Sequence, residues 1–193
     1  MADYSKQSLQ IFLAELASEK GAPGGGAAAA VTGAMAASLL GMTVRINRKR
    51  TGKQNTNGAL ALLRSIDTSR EMLLRLMRED AAAFEKINQL YKKKEKGELW
   101  QRALKQGAEV PLKMSRVLSD LAPHMLREKK WTSAWLMSDL VESAILCRAA
   151  FQSARLNSEV NLRRIKDAGY VRQVNQKLGA MERRLKRYDF SNS

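Results

Sequence analysis

Asp80 is a carboxylate set into an apolar stripe. Leu62, Ile66, Ser69, Leu73, Leu76, Asp80, Phe84, Ile87 and Tyr91 recur at steps of three and four, the period of one face of a long helix. An acid on such a face must be hydrogen-bonded, ion-paired or held protonated, and each outcome moves its pKa and makes it a candidate for acid–base chemistry. Two structural readings stand beside that one: a carboxylate tied to an arginine or a helix end, and a break in the stripe where the residue faces water. Asp139, in the stretch WLMSDLVESA, borders the apolar face of another helix and by itself reads as a polar edge residue. Asn157 and Asn161 fall around an expected helix end, where asparagine commonly caps.

Residues 21–26 read GAPGGG and run into a helix of small side chains. A helix that starts there leaves its first N–H groups without acceptors. Bare backbone at Gly24, Gly25 and Gly26, behind Pro23, would let a carboxylate, a phosphate or a polarised carbonyl reach them. The same residues would also serve merely to stop one helix and start the next. TGK at 51–53 lacks the upstream glycine of a P-loop. His124 is the sole histidine and Cys147 the sole cysteine, so the sequence offers no zinc-ligand set and no Ser-His-Asp arrangement with its elbow motif. Trp100, Trp131 and Trp135 read as packing or interface residues.

Helices must position these groups, because apolar residues recur at three and four throughout and nothing alternates as a strand. A first helix from Ser5 or Ser8 would end at Lys20 or Gly21, with Leu9, Phe12, Leu13 and Leu16 as its apolar stripe. The second, about 25–46, has Met35, Leu39, Met42 and Ile46 along one side. Gly33, Ala37 and Gly41 form a knobless strip that lets another backbone approach closely. After a basic, solvated connector at 47–58, a third helix spans about 59–93. A fourth is interrupted or started by Pro111 and ends near Pro123. The fifth, about 132–158, carries Leu136, Leu140, Ala144, Cys147, Phe151 and Ala154 on one face. A basic helix at about 170–187 closes the chain. The fold expected is therefore all-α, a bundle of five to six helices in a single domain over 1–193.

Lys plus Arg number 34 against 19 Asp plus Glu, a formal net charge of +15 over 193 residues, which favours anionic partners. Arg45, Arg48, Lys49, Arg50 and Lys53 flank the second helix. Arg163, Arg164, Lys166, Arg172, Lys177, Arg183, Arg184, Lys186 and Arg187 make the C-terminal quarter cationic. Nucleic acid would use such clusters through its phosphates, although no nucleic-acid-binding motif accompanies them, and a solvated basic face explains them equally well. The single cysteine fits a reducing compartment, and the longest apolar run is Ala and Gly rather than Leu and Ile. Cytoplasmic location, with no membrane span and no export signal, is the expectation.

The order of the motifs carries more than any one of them. FLAELAS, APGGGAAAAVTGAMAASLLGM, EDAAAFEKI at 79–87, AEVPLKM at 108–114, SDL at 138–140 and NSEVNLRRIKD at 157–167 follow one another as in the formiminotransferase-cyclodeaminase C-terminal family, which includes bacterial methenyltetrahydrofolate cyclohydrolases. The chain resembles that family over about residues 9–167. The resemblance implies a homodimer that handles a tetrahydrofolate one-carbon adduct and needs neither a metal nor a redox cofactor. Its activity would be formimidoyltetrahydrofolate cyclodeaminase, which releases ammonia and forms 5,10-methenyltetrahydrofolate, or methenyltetrahydrofolate cyclohydrolase. On that reading Asp80 and Asp139 relay protons, while Pro23, Gly24, Gly25, Gly26, Asn157 and Asn161 bind substrate. Lys and Arg near the cleft would meet an anionic folate tail. Ala27 stands where the family usually has serine, which removes a hydroxyl from the expected cleft. From another class comes the alternative of a non-catalytic helical relative that binds an anionic partner such as nucleic acid or another protein.

Overall fold

The computed structural model describes residues 4–53 and 56–188. Its helices are α1 (Leu9–Leu16), α2 (Gly25–Arg50), α3 (Asn57–Lys92), α4 (Glu98–Lys129), α5 (Met137–Leu162) and α6 (Ala168–Arg187). Short 3₁₀ turns at Tyr4–Lys6 and Ala134–Leu136 complete the pattern, and the described residues contain no strand. Four long helices close a ring in which α2 packs on α3 and α5, α3 on α4, and α4 on α5; α6 lies along α4. The expected all-α bundle is the observed architecture. Gln54 and Asn55 of the basic connector lie outside the described residues.

α2 packs closely on its neighbours because of its small side chains. Ala29, Ala30, Ala36, Ala37 and Gly41 are buried, and a Cβ on Gly33 would lie 2.8 Å from Leu118 of α4 and 3.2 Å from Leu73 of α3. Bare backbone at Gly33 is therefore what lets two neighbouring helices meet on α2. The expected stripe of Met35, Leu39, Met42 and Ile46 faces outward instead, with Met35 53% exposed. Close approach wins over bulk here, so the large side chains are left outside. α2 is long and apolar enough to cross a membrane, yet most of that stretch is buried inside the bundle.

α1 departs from expectation as well. Ser8 caps it, accepting from the Ile11 N–H at 3.3 Å, and Phe12 is buried, but Leu9 is 65% exposed and Leu13 is exposed too. The helix ends at Leu16, four residues early, and no long helix covers its outer face.

Both prolines of α4 lie inside a continuous 32-residue helix rather than at its start and end. Proline lacks the N–H that would bind the carbonyl four residues back. At Pro111 that carbonyl belongs to Gly107, and the Asn161 Nδ2 of α5 donates to it at 3.1 Å. The neighbouring Ala108 carbonyl accepts from Ser158 Oγ at 2.9 Å. α5 thus supplies from outside what the proline removes. Its expected face of Leu136, Leu140, Ala144, Cys147, Phe151 and Ala154 is buried throughout. α6, capped by Asp167, spans the expected basic helix. Ion pairs from Arg184 to Asp120 (2.5 Å) and from Lys186 to Glu182 (3.1 Å) offset part of its charge.

Candidate active site

α3 outlasts the core that α2 offers it. The seam stays in the interior through Leu73 and Leu76, reaches Asp80 where α2 begins, and then leaves the core: Phe84 is 41% exposed and Tyr91 more so. Asp80 consequently sits at the open start of α2. A Cβ on Gly26 would overlap its carboxylate. Gly24 provides no side-chain cap, and the first helical hydrogen bond is donated by Ala28 N–H to the Gly24 carbonyl. The N–H groups of Gly25, Gly26 and Ala27 therefore have no acceptor within the helix.

Around this carboxylate lies a cleft of about 280 Å³. Gly21, Gly24, Gly25 and Gly26 form one wall, Asp80, Phe84 and Ile87 of α3 another. Gly107 of α4, Asn157 and Asn161 of α5, and Arg164 in the turn just after α5 complete it. Burial pushes the Asp80 carboxyl up to about 6. A carboxyl so tuned exchanges protons near neutrality, beside backbone donors that stabilise developing negative charge.

Gly24, Gly25, Gly26, Asp80, Asn157 and Asn161 are thus brought together, as the sequence motifs led us to expect. Pro23 is buried, follows a cis peptide and does not line the cleft. Asp139 does not line it either: it stands in the first turn of α5, 18 residues before Asn157, or about 27 Å away along the helix. Within one chain, the pairing of Asp139 with Asp80 gives way to that geometry. Ala27 is buried and also outside the lining, so the missing hydroxyl is a change in the core rather than in the cleft.

The asparagines are not caps, because α5 runs on to Leu162. Asn157 Nδ2 donates to its own Ser153 carbonyl at 2.8 Å, and the amide lies against Gly25. Asn161 Nδ2 is shared between the Gly107 and Asn157 carbonyls. Replacing Asn161 with alanine strands the Gly107 carbonyl that Pro111 cannot serve, so urea unfolding should show a loss of about 1–3 kcal/mol. In a Pro111→Ala background the restored N–H should reduce that loss.

Phe84 and Ile87 went unread as cleft residues, although both follow Asp80 on the same seam. Arg164, one turn beyond Asn161, carried a legible signal of the same kind. Gly107 did not, since only the α4–α5 contact puts it there. Among the described residues no group of three His, Cys, Asp or Glu side chains is placed to hold a metal ion.

A carboxyl of raised pKa held over an uncapped, glycine-walled helix start inside an all-helical bundle is an arrangement that can take a small molecule and exchange protons with it. Residues 8–180 match the family model described as formiminotransferase-cyclodeaminase, and the chain belongs to that family. It is 29% identical over 180 residues to the methenyltetrahydrofolate cyclohydrolase of Methylorubrum extorquens, covering 86% of this chain and 85% of that protein. It is 26% identical to the formimidoyltransferase-cyclodeaminase of Sus scrofa over 90% of its own length, spanning about a third (34%) of the pig protein. The crystal structure of formiminotetrahydrofolate cyclodeaminase from Thermotoga maritima superposes with a TM-score of 0.89 at 32% identity, covering 95% of this chain and 92% of that one.

Proposed function

We propose that the chain is a folate one-carbon enzyme that acts on the carbon held at N5, or between N5 and N10, of tetrahydrofolate. The observation that carries this is the Asp80 carboxyl, tuned to about 6, at the open start of α2. In the cyclodeaminase direction N10 attacks the formimino carbon and loses its proton, ammonia leaves, and methenyltetrahydrofolate forms. In the cyclohydrolase direction water adds to the methenyl carbon and yields 10-formyltetrahydrofolate and a proton. Asp80 as the ionised base takes the proton of the attacking group. As the acid it returns one to the leaving nitrogen. The free N–H groups of α2 face the carboxylate or carbonyl of the substrate. Following methenyltetrahydrofolate by its near-ultraviolet absorbance tests the reading: loss above the uncatalysed rate supports cyclohydrolase, appearance from the formimino substrate supports cyclodeaminase, and neither signal rejects both.

A cleft of about 280 Å³ takes a ring system but not a whole folate. Arg164 also lines a neighbouring groove of about 660 Å³, together with Lys92, Lys94, Lys96, Lys166 and the single acid Glu95. None of these five cations is ion-paired among the described residues. We assign the groove to the anionic glutamate tail. K92E/K94E/K96E should raise KM for a polyglutamyl substrate roughly tenfold, the equivalent of about 1.4 kcal/mol, and leave kcat unchanged.

Met35 and Leu39 of the outward stripe join Ile145 and Leu146 of α5 and Leu74 of α3 along an open apolar groove that Arg70 and Glu142 also line. We assign this face to a second copy of the chain, which would cover the exposed Met35 and Ile145. A Met35→Glu, Ile145→Glu double variant should sediment as a monomer where the parent sediments as a dimer. A monomeric parent overturns the assignment.

A further inference from the structure

At the far end of α2, 22 residues or about 33 Å along the helix from Gly26, lies a second hollow of about 470 Å³. It is built by the last turns of α2 and α4 and the first turns of α3. Ala61 and Leu62 give it an apolar side; Arg48, His124, Arg127, Lys130 and Trp131 line the rest. Nothing in the folate chemistry above uses it.

Its electrostatics are unbalanced. The Trp131 ring is the meeting point of Lys53 Nζ at 4.9 Å, Lys130 Nζ at 5.5 Å and the Arg48 guanidinium carbon at 5.7 Å from the centroid. Glu128 is the sole acid in the lining, and it is spent. Its buried carboxylate accepts from Arg48 at 2.8 and 3.3 Å and from Asn47 Nδ2 at 2.9 Å. Arg48 is thereby neutralised, while Lys53, Arg127 and Lys130 have no ion pair among the described residues. Burial, with Arg127 and Arg184 nearby, lowers the His124 pKa, so its ring stays neutral and serves as a hydrogen-bonding group. Arg127 and Lys130 line the hollow without a counter-charge, and Lys53 stands over the Trp131 ring beside them; an anion offsets the potential they raise.

The anion must also suit an aromatic wall and an apolar side. We propose that this cleft binds a nucleotide unit, its phosphate held by Arg127 and Lys130 and its base laid between Trp131 and the Ala61–Leu62 surface. The volume falls within the range of small-molecule sites, and base stacking with cationic support is how such units are generally held. A free nucleotide and the nucleotide of a single strand present the same chemistry, and the test separates them.

Trp131 is its own reporter once W100F and W135F remove the other tryptophans, with calorimetry on the unaltered chain as a second measurement. Titration with AMP and with a short oligoadenylate should give saturable quenching and heat, with half-saturation below about 1 mM. Saturation by AMP assigns a free nucleotide, and saturation by the oligomer alone assigns a strand. R127E/K130E, at two exposed positions, should bind at least tenfold more weakly by both readouts. The proposal is overturned if neither probe saturates, if R127E/K130E binds as tightly as the parent, or if inorganic phosphate alone binds as tightly as AMP.

Discussion

Asp80→Asn is expected to yield a protein that is more stable and far less active. Burial holds the Asp80 carboxyl at about 6 in the fold against its ordinary 3.8. A carboxyl raised on folding favours the native state only while it is protonated. That stability is complete below about pH 4 and is lost as pH rises through about 6. The difference amounts to about 3 kcal/mol, and the unsatisfied N–H groups of α2 return about 0.3–1 kcal/mol of it to the ionised form. Asparagine has the same shape and never ionises. At pH 7.5 the variant should gain about 1–3 kcal/mol in urea unfolding, and at pH 4 the two proteins should converge. Turnover should fall by about 10²–10⁴, the usual worth of a positioned acid or base, and the rise in kcat through about pH 6 should disappear. Turnover within threefold of the parent would remove Asp80 from the chemistry. An unchanged pH dependence of stability would show that the carboxyl is not desolvated.

The sequence displayed Asp80 clearly because an acid on a three-four stripe breaks a pattern that is otherwise apolar. The same logic gave the buried face of α5, where every expected residue is interior. It failed on α2, because periodicity scores side-chain size while packing there rewards its absence. Met35 and Met42 look like core and are not; the knobless strip of Gly33, Ala37 and Gly41, legible from residue size rather than from hydrophobic period, is the buried face. The prolines misled for a related reason: a proline ends a helix unless another element serves the carbonyl it abandons, and Asn161 does that for Gly107 from 54 residues away. Asp139 entered the candidate list through residue type and motif order, neither of which encodes the distance along α5. The second cleft was present in the sequence only as dispersed pieces: a basic connector, a lone histidine and a tryptophan.

Gly26→Ala should be destabilised by about 1–3 kcal/mol and should lose most of its activity, although alanine is the better helix former. The helix preference of about 1 kcal/mol works in the variant's favour. Against it, the new Cβ would overlap both oxygens and the carboxyl carbon of Asp80. That carboxylate is held by α3, whose Leu76 and Met77 one turn earlier are locked in the core, so it cannot retreat freely. Either Asp80 turns out of the cleft or the start of α2 shifts; both outcomes separate the carboxyl from the backbone donors. The decisive comparison is a cycle with Asp80→Ala, which opens the space. In that background Gly26→Ala should cost nothing or stabilise slightly, so that the two changes couple by about 1–3 kcal/mol in urea unfolding. Additive effects would mean that Gly26 is required for another reason, such as ligand approach to bare backbone. Gly25→Ala is the matching control: its Cβ would lie 3.3 Å from the Asn157 amide, a side chain that can yield, so stability should change by less than about 1 kcal/mol. A Gly25 variant that is stable but weak in substrate binding would separate the role of the helix start as a ligand surface from its role as the seat of Asp80.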